Sequence, residues 1–258
     1  MDSRRETQRG WAFGLVLVLA CGGCAERQNL GDPEQQVAAG WEAYRLGEFN
    51  RALSAFEAAA RAPAKSDARL RGLYGLATTW NLRRPDDDPA KAEALFRSVL
   101  AEAPDHDLAA WSLLALARMK HLVPVGTDPD YAAVRRAYEE CIARFPNHLA
   151  GEEAFIYLQS TFVATLSADD ARQAAAALER FLAERPGSAF SGLAFSLLAQ
   201  CYGTLRQPEK LLATMIKAVE AEERDPLNPN QDKALGYWRI GTIAEFEAGD
   251  FDTARKYY

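Results

Sequence analysis

Apolar residues recur at helical spacing along this chain, and the same stop keeps interrupting them. LFRSVLAEAP (residues 95–104), YEECIARFP (138–146) and LERFLAERP (178–186) each place large apolar side chains three or four positions apart, and each ends in proline. That spacing gathers the apolar side chains on one helix face. Proline closes the helix because it lacks an N–H and restricts the residue before it. Pro63, Pro104, Pro146, Pro186 and Pro226 stand 41, 42, 40 and 40 residues apart. A stop at a near-constant interval means one structural unit repeated. Each unit holds two helical patterns divided by polar or helix-breaking residues, such as Gly47-Glu48, Ser167-Ala168-Asp169-Asp170, Arg206-Gln207-Pro208 and Gly249-Asp250.

Composition agrees with the pattern. Alanine fills 48 of the 258 positions, whereas valine, isoleucine and threonine together fill 24. Alanine is the best intrinsic helix former and strands need β-branched residues, so a β-sandwich or barrel is excluded. The formal charge of −6 and pI near 5.3 supply no basic field for phosphate backbones, and no nucleic-acid partner is expected.

A period near forty fits HEAT or tetratricopeptide repeats, and the local residues favour the second. Gly47-Glu48-Phe49-Asn50-Arg51-Ala52 and Gly249-Asp250-Phe251-Asp252-Thr253-Ala254 resemble the tetratricopeptide turn, glycine-acid-aromatic-x-x-alanine. Phe56 and Ala59 fall where that family's second helix places its aromatic and its small residue. Trp111, Leu114 and Ala115 resemble the opening of the first helix, as do Leu76-Ala77-Trp80 and Leu198-Ala199-Tyr202. The resemblance implies an all-α fold, a right-handed superhelical solenoid of helical hairpins, over residues 34–258. Six units start near Gln35, Leu70, Ala109, Gly151, Phe190 and Ala234. They exceed the family's ~34 residues, mainly at the turns. The sixth stops at Tyr258 within its second helix. Solenoid ends need a polar cap, so the expectation is truncation there, or a partner covering that end.

The first residues read as an address. Arg4, Arg5 and Arg9 precede Trp11–Ala20, an uncharged run of ten. Ten helical residues rise about 15 Å against a ~30 Å hydrocarbon core, which is too short to span. This is the pattern of a secretory signal peptide over residues 1–20. Val18-Leu19-Ala20-Cys21 resembles the lipobox of bacterial lipoproteins, which implies lipidation at Cys21, with Cys24 as second choice. Several acyl chains would then hold the protein on a membrane. Gly22, rather than aspartate, after that cysteine resembles sorting to the outer membrane. Residues 21–33 are glycine-rich and polar and form a tether.

Candidate chemistry is sparse. His106, His121 and His148 lie in or beside inter-helix loops with no second ligand at helical spacing, so surface histidines are expected and no metal. Cys141 and Cys201 read as small core residues in units three and five, and a mutual disulfide is not expected. No nucleophile stands beside a base motif and no phosphate loop exists. The chain is not expected to be an enzyme or to carry a cofactor or small-molecule substrate.

Carried over from the tetratricopeptide resemblance, the concave groove would be lined from the first helix of each unit. These positions are Trp41, Tyr44 and Arg45; Tyr74, Thr78 and Asn81; Leu116, Met119 and Lys120; Ile156 and Ser160; Gln200; and Trp238 and Thr242. Aromatic and long polar groups suit peptides or amphipathic helices. The stretches Ala143–Ala150 and Ala183–Phe190 also resemble the inter-repeat junction of BamD-like outer-membrane-protein assembly lipoproteins. That resemblance implies a non-catalytic, lipid-anchored scaffold facing the periplasm and binding envelope proteins or peptides. Two other readings stay open: a glycan-binding lipoprotein, and the adaptor part of a longer protein.

Overall fold

The computed structural model describes residues 31–83, 86–221 and 233–258. Cys21 and Cys24, and with them the signal, lipobox and most of the tether, lie outside the described residues. From Asp32 onward the described chain is helical, in the order α1 Pro33–Arg45, α2 Phe49–Ala60, α3 Asp67–Leu82, α4 Pro89–Glu102, α5 Asp107–His121, α6 Tyr131–Arg144, α7 Leu149–Val163, α8 Ala168–Glu184, α9 Ser191–Thr204, α10 Pro208–Ala221, α11 Ala234–Ile243 and α12 Phe251–Tyr257. A single π-helical turn, Ala244–Ala248, extends α11.

The helix ends are written in local chemistry. Asp32, Ser66, Asp88, Asp130, Ser167 and Asp250 each cap a helix by accepting a backbone N–H of its first turn. Pro33 and Pro89 follow two of these caps, where a missing N–H costs nothing. Between the two helices of each hairpin one residue takes the left-handed conformation: Gly47, Asp86, Gly126, Leu166, Arg206 and Gly249, with φ between 54° and 88°. Three of the six are not glycine. The turn geometry therefore recurs at a step near forty where the glycine does not.

Each helix packs antiparallel on the next, and the odd-numbered helices also touch one another: α1 on α3, α3 on α5, α5 on α7 and α7 on α9. Among the described residues, α2, α4, α6, α8 and α10 do not touch each other. Helices that meet their next-but-one neighbour form the inner layer of a curved stack, and those that fan apart form the outer layer. The result is an all-α solenoid of six hairpins. The inner seam has one gap, because among the described residues α9 and α11 make no contact and α11 is held by α10. A cavity of about 560 Å³ lies there, lined by α9, α10 and α11.

Packing explains the small residues. Phe56 of α2 is fully buried, and a Cβ placed on either Gly40 of α1 or Gly75 of α3 would lie 2.5 Å from its ring. The two glycines close on the phenyl ring from either side, so hairpin one and hairpin two share one aromatic. Phe96, Tyr138 and Leu178 repeat its role in the next three units, and all are essentially inaccessible. Cys141 and Cys201 are both buried and free. Burial pushes their thiols up, Cys141 to about 12 and Cys201 to about 11, so neither is a nucleophile at neutral pH.

Charged residues stitch consecutive units at the proline junctions. The Arg144 guanidinium donates to the Pro104 carbonyl at 3.2 Å, and Arg185 donates to the Pro146 carbonyl at 3.1 Å. The Glu102 carboxylate accepts from the Lys65 backbone N–H at 2.6 Å and pairs with Arg69 at 2.9 Å. These contacts hold the Glu102 carboxyl below the usual carboxylate range, the backbone N–H most of all.

The three histidines are partly exposed, and each has a hydrogen-bond partner. His106 and His148 are N-caps of α5 and α7, with Nδ1 accepting the Leu108 and Ala150 backbone N–H at 3.1 and 3.0 Å. The ring proton therefore sits on Nε2, which donates to Asp67 of α3 and Asp107 of α5 at 3.2 and 2.6 Å. His121 sits half-buried, its Nδ1 3.0 Å from the Tyr138 hydroxyl. Burial holds its pKa below the ordinary histidine value.

Candidate partner-binding wall

The inner layer carries two groups of side chains, one across the α1–α3 seam and one across the α5–α7 seam. Trp41 of α1 meets Phe56 edge-on at 5.0 Å and Tyr44 at 5.6 Å, and its ring lies 6.5 Å from Tyr74 of α3. Tyr74 rests on Phe96 at 5.6 Å, and burial raises its phenol pKa, opposed by a hydrogen bond with Thr78. Its next electrostatic neighbours are Arg118 of α5 and Glu153 of α7. Arg118 reaches Glu153 at 3.5 Å, with its guanidinium 5.2 Å from the centre of the Tyr157 ring. Tyr157 stacks on Tyr138 at 5.8 Å and 11°, and His121 stands edge-on to both.

The Arg118–Glu153 pair is asymmetric in exposure, with the arginine side chain 41% accessible and the glutamate 19%. Desolvation raises the Glu153 pKa more than Arg118 lowers it. Arg118 is thus the cationic edge of the wall that still meets solvent. Aromatic faces half-open to solvent around one arginine suit a polypeptide: apolar side chains gain the rings, and a carbonyl or carboxylate gains the guanidinium. Among the described residues no three histidine, cysteine, aspartate or glutamate side chains cluster at metal-binding distance. None of the described helices is long and apolar enough to cross a membrane.

The structure brings together some of the residues expected in the groove and disperses others. Trp41, Tyr44 and Tyr74 form one cluster, with Thr78 beside Tyr74. Arg45, on the exposed edge of α1, pairs with Glu42 of its own helix. Asn81 is half-buried at the end of α3. Leu116 is buried, and Met119 packs on the cluster of Ala77, Ala92, Phe96 and Leu116. Lys120 lines a cleft between α4, α5 and α6. Ile156 is buried, while Ser160 and Gln200 bond to carbonyls of their own helices. Trp238 is 57% exposed on α11, two hairpins beyond Tyr157, and Thr242 donates to its carbonyl.

Sequence reasoning missed Arg118, Glu153, Tyr157 and His121. In α5 the register read from Trp111, Leu114 and Ala115 is displaced by two: Ala117 is the closely packed small residue, and Arg118 stands where Leu116 was expected. The sequence ALARMK offers alanine at 115 and 117 alike. The signal that separates them is the charge, since an arginine has to reach an exposed seam.

No protein-family model and no curated protein matches the sequence. Among solved structures, the chain is similar to BtubC (BKLC) from P. vanneervenii, with 18% identity, 88% of each chain covered and a TM-score of 0.53. It is also similar to TTC0263, a thermophilic TPR protein in Thermus thermophilus, with 17% identity, 83% of this chain and 100% of that one covered, and a TM-score of 0.47. At 18% identity the likeness to BtubC is one of fold alone.

Proposed function

We propose that this protein is a non-catalytic scaffold of the bacterial envelope, anchored by acyl chains on Cys21, that holds polypeptide segments against its inner wall. One observation carries the binding reading: the inner layer sets the aromatic cluster of Trp41 and Tyr74, across α1 and α3, in line with the Arg118–Glu153–Tyr157 group across α5 and α7, with their rings partly exposed. The lipobox resemblance at Val18–Cys21 supports the anchor. The junction resemblance at Ala143–Ala150 and Ala183–Phe190 supports a place among outer-membrane-protein assembly factors.

Affinity capture from the native envelope tests the wall. Trp41→Ala combined with Tyr74→Ala should weaken retrieval of the captured proteins, and Arg118→Ala should weaken it again. If the triple variant keeps its circular-dichroism spectrum and retrieves the same set equally well, the wall is not the binding surface. Labelling with a radioactive fatty acid tests the anchor: Cys21→Ala should abolish it, and label that persists would place the lipid on Cys24.

A further inference from the structure

The outer layer carries a second surface with its own chemistry. Because α4 and α6 fan apart, a cleft of about 360 Å³ opens between them with α5 as its floor. Its base is apolar: Leu113, Leu116 and Ala117 of α5 are buried, while Leu100 of α4 and Ala137 of α6 are half-covered. Its rim carries Arg97 from α4, Lys120 from α5 and Arg144 from α6 beside Glu140. Arg97 pairs with Glu93 at 2.7 Å. Arg144 is held by the Pro104 carbonyl, and Lys120 is exposed. With Arg97 offset by Glu93, Lys120 and Arg144 face Glu140 alone, a small cationic excess on a chain of net charge −6 that selects partners by sign.

We infer that the cleft between α4 and α6 is a docking site for an acidic amphipathic helix of a partner protein, separate from the inner wall. The shape argues for a helix. The cleft opens along α5 between α4 and α6, and at about 360 Å³ it takes the apolar side chains of one helix face. Leucine-sized side chains from one of its faces enter beside Leu100, Leu116 and Ala137. Carboxylates flanking that face meet Lys120 and Arg144. The inner wall offers the opposite arrangement, aromatic rings around one arginine already paired to Glu153. Two partners of different chemistry can therefore be held at once, one on each layer.

The test is a fluorescence-anisotropy titration of the full chain with two labelled eighteen-residue peptides. One carries leucine at positions 3, 7, 10 and 14 and glutamate on the flanking positions; the other has lysine in place of every glutamate. The acidic peptide should bind with an affinity that falls as salt rises, and the lysine peptide should not bind. Lys120→Glu should weaken the acidic peptide by about fivefold, the size of one surface ion pair. Ala101→Trp, an exposed substitution at the mouth, should abolish binding by filling the trough. Trp41→Ala should leave it unchanged, which separates this site from the inner wall. Equal binding of both peptides overturns the inference. So does indifference to both Lys120→Glu and Ala101→Trp, or saturation by laurate where no peptide binds.

Discussion

His148 holds two helices with one ring: Nδ1 caps α7 through the Ala150 N–H, and Nε2 reaches Asp107 at the start of α5, 2.6 Å away. His106 repeats the arrangement one unit earlier, toward Asp67 of α3. The junction residue thus sets the spacing between inner-layer helices as well as the helix start. His148→Ala should lower stability by about 1–2 kcal/mol, the cost of a lost cap and one inter-unit bond. His148→Asn should recover the cap alone, roughly half. Urea unfolding checks both, and equal midpoints for the three proteins would dismiss the double role.

His121 makes stability depend on pH. Its folded pKa lies below the unfolded value, so the unfolded chain takes up more protons as pH drops, and folding is disfavoured. The stability this group contributes is whole above the unfolded value, about 6.5, and is lost as pH falls below it. Urea midpoints at pH 7.5 and 5.5 should therefore diverge more for the native protein than for His121→Gln. Identical divergence would remove His121 from the account.

Phe56 is the shared piston of the first two hairpins, enclosed by Gly40 and Gly75. Phe56→Ala should cost about 3–5 kcal/mol. Gly40→Ala should also destabilise, since its methyl would meet the ring at 2.5 Å. Combining Gly40→Ala with Phe56→Leu should cost less than the sum of the two. Strict additivity in a double-mutant cycle would show that the close approach relaxes freely.

Fold and site were legible to different depths. The hairpin step was readable because proline and the glycine-acid turn are local requirements, and Gly47 and Gly249 do adopt the left-handed turn. Leu166 and Arg206 fill the same position in units four and five, where no residue type announces it. The aromatic cluster of α1 and α3 was readable where aromatics stand alone, at Trp41 and Tyr74. Sequence reasoning failed in α5, whose apolar side chains leave the facing direction ambiguous over two positions, and it missed Glu153, whose role depends on an arginine 35 residues away.

Leu166 pays a backbone penalty for that substitution of type. Its side chain is 76% exposed, so Leu166→Gly loses little contact and should relieve strain, raising stability by up to about 1 kcal/mol. A midpoint lowered by the change would mean that the leucine side chain contributes packing of its own.

Ser112 of α5 offers the opposite kind of gain. Its hydroxyl is fully buried and has no hydrogen-bond partner among the described residues. Ser112→Ala removes an unsatisfied group at almost constant volume and should stabilise by about 1 kcal/mol. Destabilisation would reveal a bound water there.

The gap between α9 and α11 divides the rod mechanically. Among the described residues, four seams join the first five hairpins through their inner helices, whereas the last hairpin meets the rest mainly through α10. Bending should concentrate there, and cross-linking α9 to α11 should stiffen the terminal hairpin while leaving the rest of the rod as it was. A partner gripping both sides of that joint would set the angle at which the final hairpin is presented.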